Sequence, residues 1–164
     1  MAWRKTNQER QVGRELATET GTRLDVLAMA VGESDTLVAT TTKLALKRDD
    51  SWRLWGWEHV LSGAWRGDTS TFVWRTVGGQ DHTAKVEVAR RLPEVFRERV
   101  VASTVTSATI DVSGGMVEII GRRGLGGDTG ITWYAVPSRG VNLDDPAVVT
   151  AVRECTDQLA CELT

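Results

Sequence analysis

At 164 residues the chain is one domain, or one domain with an appendage, and is long enough to bury its own core. Its 41% hydrophobic and 26% charged residues are ordinary for a globular protein, and a net charge of −2 excludes a global field that would draw it to nucleic acid or to an anionic membrane. No stretch reaches the roughly 20 apolar residues of a membrane-spanning helix, and the polar N-terminus lacks the apolar centre of a signal peptide.

In chain order, residues 1–23 are polar, with a short helix predicted over Gln8 to Thr18 that places Val12 and Leu16 on one side. Leu24 to Val31 reads as a strand, Gly32-Glu33-Ser34-Asp35 as an acidic turn, and Thr36 to Thr40 and Leu44 to Arg48 as short strands. Asp49-Asp50-Ser51 turns the chain into Trp52 to Trp57, and Trp57-Glu58-His59-Val60 forms a corner. Trp65 is expected to open the next strand, followed by Thr71 to Val77 and a Gly78-Gly79 hairpin. His82 to Val88 alternates with period two, with His82, Ala84, Val86 and Val88 on one face. The period then changes: Leu92, Val95, Phe96 and Val100 have helical spacing, and Pro93 suits a first turn, so a helix is predicted from Leu92 to Thr106. Thr109 to Val112 and Met116 to Ile120 flank a hairpin at Ser113-Gly114-Gly115, and Ile131 to Val136 returns after the loop Gly121 to Gly130. Asp144-Asp145-Pro146 starts a last helix whose Val148, Val152, Cys155 and Leu159 form one seam. Cys155 and Cys161 are separated along that helix by a rise of about 9 Å, beyond the roughly 7 Å reach of a disulfide. Two free thiols and no export signal predict a cytoplasmic protein.

The run Thr42-Lys43-Leu44-Ala45-Leu46, with Trp55-Gly56-Trp57-Glu58-His59-Val60 after it and the helix from Leu92 to Thr106 behind, resembles the pleckstrin-homology-like and GRAM-like domains of bacteria. With Val38-Ala39-Thr40, Trp57-Glu58-His59-Val60, Trp65, the run from Leu92-Pro93-Glu94-Val95 to Val100 and a C-terminal helix holding Asp145-Pro146, the chain from about residue 24 to 163 also looks like an uncharacterised family of small actinobacterial proteins. The resemblance implies an antiparallel bent sheet or partial barrel closed by an amphipathic helix. Lipid-binding members of that fold carry Lys and Arg in the turn after the first strand. Here the turn holds Glu33 and Asp35, which argues against an anionic headgroup at that place.

Seven Trp are the strongest compositional anomaly: Trp52, Trp55, Trp57, Trp65 and Trp74 crowd one region, and Arg53, Arg66 and Arg75 each follow one of them. Aromatic faces beside guanidinium groups stack bases and sugars, whereas the plainer reading is core packing. Strand alternation sends Trp52 and Leu54 to one face and Arg53, Trp55 and Trp57 to the other. Arg122 and Arg123 open a glycine-rich loop that invites an anion-binding reading, but a strand follows it instead of a helix, and no Lys is present. The candidate ligand residues are therefore Trp55, Trp57, Arg53, Arg122 and Arg123. With His59 and His82 the only histidines, no metal site is expected. His82 reads as a satisfied buried imidazole, and Glu58 and His59, as neighbours at a corner, are expected to diverge. No nucleophile, base and orienting group assemble, so no catalytic residue and no cofactor are assigned.

The expected fold is α+β. It comprises a polar segment at 1–23, the sheet and closing helix at 24–106, and a hairpin and C-terminal helix at 107–164 packed on the same domain. The expected role is a non-catalytic interaction module with an unidentified protein partner. The alternative is a small-ligand or nucleotide-binding protein that uses Trp and Arg stacking. Self-pairing is a further expectation. Past Gly140 there are five acids and one base, and an acidic last helix carrying Val149 and Val152 suits the basic segment around Arg97 of a second copy. Neither nucleic acid nor a membrane is expected as a partner.

Overall fold

A capping box starts the first helix. The Glu9 amide donates to Thr6 Oγ1 (3.1 Å), and the Thr6 amide donates to the Glu9 carboxylate (3.3 Å). In the computed structural model, which describes residues 5–127 and 129–164, this helix is α1 (Asn7–Thr20). The first four residues of the polar segment and Asp128 of the glycine-rich loop lie outside the described residues. The chain is α+β, with three antiparallel sheets and three helices among the described residues. It divides into two compact units. One runs to Ala102 and includes Leu125–Gly127; the other holds Ser103–Gly124 and the remainder of the chain to Thr164.

The first unit contains two meanders. Strands β1 (Val26–Val31), β2 (Asp35–Thr40), β3 (Lys43–Arg48) and β4 (Ser51–Gly56) pair in sequence order. Asp49 and Asp50 both have positive φ (52° and 61°), which makes the β3–β4 connection a two-residue turn whose twist matches the strands. One 3₁₀ turn, Trp57–His59, redirects the chain. Then β5 (Val60–Arg66), β6 (Thr71–Thr76) and β7 (Asp81–Lys85) form a separate sheet with β5 on its edge. The seven strands do not close into a barrel. Helix α2 (Leu92–Ser103) follows.

Both faces of the four-stranded sheet are covered, which explains why β2 and β3 read as near-continuous apolar runs. On one face Val12 and Leu16 of α1 meet Val38 and Ala45, with Trp52 and Leu54 at the margin. On the other, Leu37, Leu44 and Leu46 share a core with Trp57, Phe72, Trp74, Ala84, Leu92, Val95 and Phe96. Two ionic contacts fasten these layers. Lys47 Nζ is 2.8 Å from the Glu15 carboxylate of α1. Asp35, 5% exposed, accepts from Arg48 Nε (2.7 Å) and Nη2 (2.9 Å) and from the Lys85 amide (2.9 Å), which joins β2 and β3 to β7.

The second unit is a three-stranded sheet of β8 (Thr104–Val112), β9 (Gly115–Arg122) and β10 (Thr132–Pro137), in the order β10-β9-β8, and α3 (Pro146–Glu162). Asp145 caps α3 by accepting from the Ala147 amide (2.9 Å), and Pro146 occupies the first turn. Val148 is buried with Val117 and Ile119, and the predicted seam of Val152, Cys155 and Leu159 packs against the same cluster.

Three sequence expectations shift. Trp65 lies near the end of β5, because that strand already begins at Val60 after the 3₁₀ turn. Val88 is 60% exposed, because β7 ends at Lys85 and period-two geometry stops with it. The helix predicted to Thr106 ends at Ser103, where the β-branched run Thr104-Val105-Thr106 pairs with β9.

Candidate functional site

The rings of Trp55 of β4, Trp74 of β6 and His82 of β7 meet in one cluster. Trp55 and Arg53 share a face of β4, and the Arg53 guanidinium carbon lies 5.0 Å from the Trp55 ring centroid. Trp55 meets Trp74 edge-on at 5.5 Å and His82 at 5.0 Å, and His82 stacks on Trp74 at 5.5 Å. The register Trp74↔His82 on adjacent strands explains the stack. Trp74 is 2% exposed. Neither its Nε1–H nor His82 Nε2 has a hydrogen-bond partner among the described residues, so that imidazole nitrogen is packed by rings and not satisfied as expected. Burial between these rings, and secondarily the Arg53 charge, hold the His82 imidazolium pKa below its ordinary value of 6.5, while Asp81 opposes.

That direction sets a pH dependence. A folded-state pKa below the unfolded one means that the unfolded chain binds the proton first as pH falls. His82 therefore contributes its full stability above 6.5 and loses it progressively as pH drops through the lowered folded value. Urea unfolding from about pH 8 down to about pH 5 is expected to show declining stability in the native chain and a shallower decline in His82→Leu. His59 is common to both proteins, so the difference between the slopes belongs to His82. Equal slopes would remove this role.

The remaining predicted residues are distributed apart. Trp57 is fully buried. Its Nε1–H donates to the Thr40 carbonyl (2.9 Å) and its ring meets Phe96 edge-on at 5.3 Å, so it offers no face to a ligand. Trp52, Trp55 and Trp65 are half-buried, which leaves Trp55 with Arg53 as the aromatic and guanidinium pair nearest to solvent in this cluster. Arg122 is not a loop residue. It ends β9, is 1% exposed, and donates to Ser103 Oγ from Nε (3.0 Å) and Nη2 (2.6 Å). Arg123 is exposed, and its amide donates to the Ser103 carbonyl (2.8 Å). Glu58 and His59 do not diverge: the 3₁₀ turn brings the carboxylate within 3.4 Å of His59 Nε2. Of the two acids in the turn before β2 only Glu33 is exposed, because the Asp35 carboxylate turns inward to Arg48. Val149 is 38% exposed on α3, Val152 is half-buried, and Arg97 is exposed on α2. The described residues contain no group of three or more His, Cys, Asp or Glu able to hold a metal ion, and no helix long and apolar enough to cross a membrane.

Sequence reasoning missed the trough along β5. Ser62, Gly63, Ala64 and Trp65 form one wall, and Pro93, Phe96, Arg97, Val100 and Val101 of α2 form the other, around a volume of 510 Å³. The strand order leaves β5 paired only with β6, so the backbone of residues 62–66 has no partner on its far side among the described residues. Gly63 is what allows α2 to lie so close. A Cβ there would stand 2.6 Å from the Phe96 ring and 3.2 Å from Phe72. Ser62, Gly63 and Ala64 are exposed, small and uncharged, and Val101 is 65% exposed. The available signal was weak: a Ser-Gly-Ala run between Leu61 and Trp65, where natural edge strands usually place Lys, Pro or a charge. No protein-family model, curated protein or solved structure matches this chain.

Proposed function

We propose that the protein is a non-catalytic interaction module of pleckstrin-homology-like architecture that recognises another polypeptide. The supporting architecture is the run of four strands, three strands and a helix in one unit, the order that the sequence resemblance implies. The single observation that carries the function is the edge of β5 from Ser62 to Arg66, past the bulge at its start and without a second strand partner among the described residues, beside the apolar trough of α2. An open strand edge offers main-chain hydrogen bonds, and an adjoining pocket offers side-chain selection; together these are the elements of strand-addition recognition. The Arg53–Trp55 pair supports the second reading, a stacking site for a planar ligand, less well. The guanidinium already lies over that ring, the Trp74 ring beside it is buried, and so is Trp57.

A photo-crosslinking amino acid placed at Ala64 tests the module reading in the native cells. The expected result is a discrete protein adduct at Ala64 that is absent when the same group is placed at Thr69, an exposed turn residue between β5 and β6. No adduct, or the same adducts at both positions, would remove the reading.

A further inference from the structure

We infer that the β5–α2 trough binds an extended peptide strand that alternates apolar and acidic side chains. This rests on the module reading above and names the chemistry of its partner. A strand laid along β5 has side chains of period two, so every second residue faces the same side, about 6.5 Å from the next. On the trough side it meets two different surfaces. Trp65, Phe96 and Val100 form an apolar seat, with Phe96 fixed from beneath by Trp57 and Phe72 at 5.3 and 5.1 Å. Among the described residues the charged lining is Arg97 alone. Its place is set by helical spacing: Pro93, Arg97 and Val100–Val101 fall at intervals of three and four and so share the face of α2 turned to β5. One apolar anchor and one carboxylate two residues away satisfy both surfaces.

Charge decides against a second copy of this chain as the occupant. The strand that a second copy would offer, Val60–Arg66, contains no Asp or Glu and ends in a cation. Its own Arg97 would enter the same strip, adding like charge where a carboxylate is needed. The backbone supports strand addition over other modes of docking. Ser62, Gly63 and Ala64 are too small to screen their own main-chain groups, and β5 carries no Pro to remove a donor.

The test uses the full chain, immobilised, and a displayed library of random linear peptides of about ten residues. The expected result is enrichment of peptides with an apolar residue and an acid two positions apart. A fluorescein-labelled copy of the leading peptide then reads the mode of binding by polarisation. N-methylation of alternate peptide amides should abolish binding in one register and spare it in the other, because an added strand turns only every second amide toward its neighbour. Arg97→Glu should weaken the peptide about tenfold, and exchanging the peptide's acid for Lys should restore binding to that variant. Arg97 is exposed, so circular dichroism is expected to show an unchanged fold. No enrichment over bare support, or binding indifferent to both methylation registers and to Arg97→Glu, overturns the proposal. So does light scattering that finds a mass of two chains, with Ala64→Pro returning it to one, because the edge then belongs to a second copy. Crosslinks at Ala64 without any selected peptide would leave the module reading in place and remove only this occupant.

Discussion

Replacing Phe96 with Ala is expected to lower the free energy of unfolding by about 4 kcal/mol, the middle of the range for a buried aromatic truncated to a methyl group. Phe96 is 2% exposed and sits where the two sheets of the first unit and α2 share a core. It contacts Trp57 edge-on at 5.3 Å and Phe72 at 5.1 Å, and its ring packs where a Gly63 Cβ would otherwise stand. The loss therefore combines transfer, ring contacts and a cavity that rigid neighbours cannot fill. Equilibrium unfolding in urea measures it. A change below about 1 kcal/mol would show that α2 does not bury this ring. Because the same ring forms the base of the β5 trough, the variant is also expected to lose crosslinking at Ala64. Phe96→Leu, which keeps most of the volume, should retain more of both.

Asp35→Ala is expected to cost about 2 to 3 kcal/mol near neutral pH, because hydrogen bonds to a charged group are the strong ones and three converge on this carboxylate. Two come from Arg48 and one from the Lys85 amide. The cost stays below that of a fully buried pair because the Arg48 side chain is 47% exposed and rehydrates once released. The pH dependence has a definite sign. Hydrogen bonding to Arg48, with the Lys85 amide assisting and burial opposing, holds the Asp35 carboxyl below its ordinary value of 3.8. The unfolded chain thus takes the proton first, so the stabilisation is complete above 3.8 and lost as pH falls through the lowered folded value. The native and Asp35→Ala unfolding curves should converge in acid. A gap that persists unchanged there would mean that Asp35 acts through packing and not through its charge.

The turn that carries Asp35 shows how far the sequence reached. Its composition predicted an acidic turn, and Glu33 is exposed there. That Asp35 points inward required Arg48 from β3 and Lys85 from β7, residues 13 and 50 positions away. Local patterns were sufficient wherever the cause is local. The spacing of Val12 and Leu16, the Asp145-Pro146 helix start, and the alternation that separates Trp52 from Trp55 all stand in the structure, because capping and side-chain periodicity depend only on near neighbours. The end of α2 was misplaced because Val100 and Ser103 continue a helical spacing, while pairing of Thr104 with Arg122 of β9 decides where the helix stops.

Local patterning alone specifies an α+β chain of short antiparallel strands with helices at the start, middle and end, and it marks the Trp-rich region as the place of interest. Tertiary structure alone decided which Trp are core. Trp57 and Trp55 share a predicted face, yet one is sealed beneath α2 and the other is half-buried under Arg53. It also decided that Arg122 is buried on Ser103 instead of lying open in a loop. The β5 trough belongs wholly to this second class. Its two walls, residues 62–65 and 93–101, are distant in sequence and carry no shared motif; they meet because Gly63 lets Phe96 settle against the strand. Periodicity reports which way a side chain points. What covers it, and what is left uncovered, depends on contacts between elements that no local window contains.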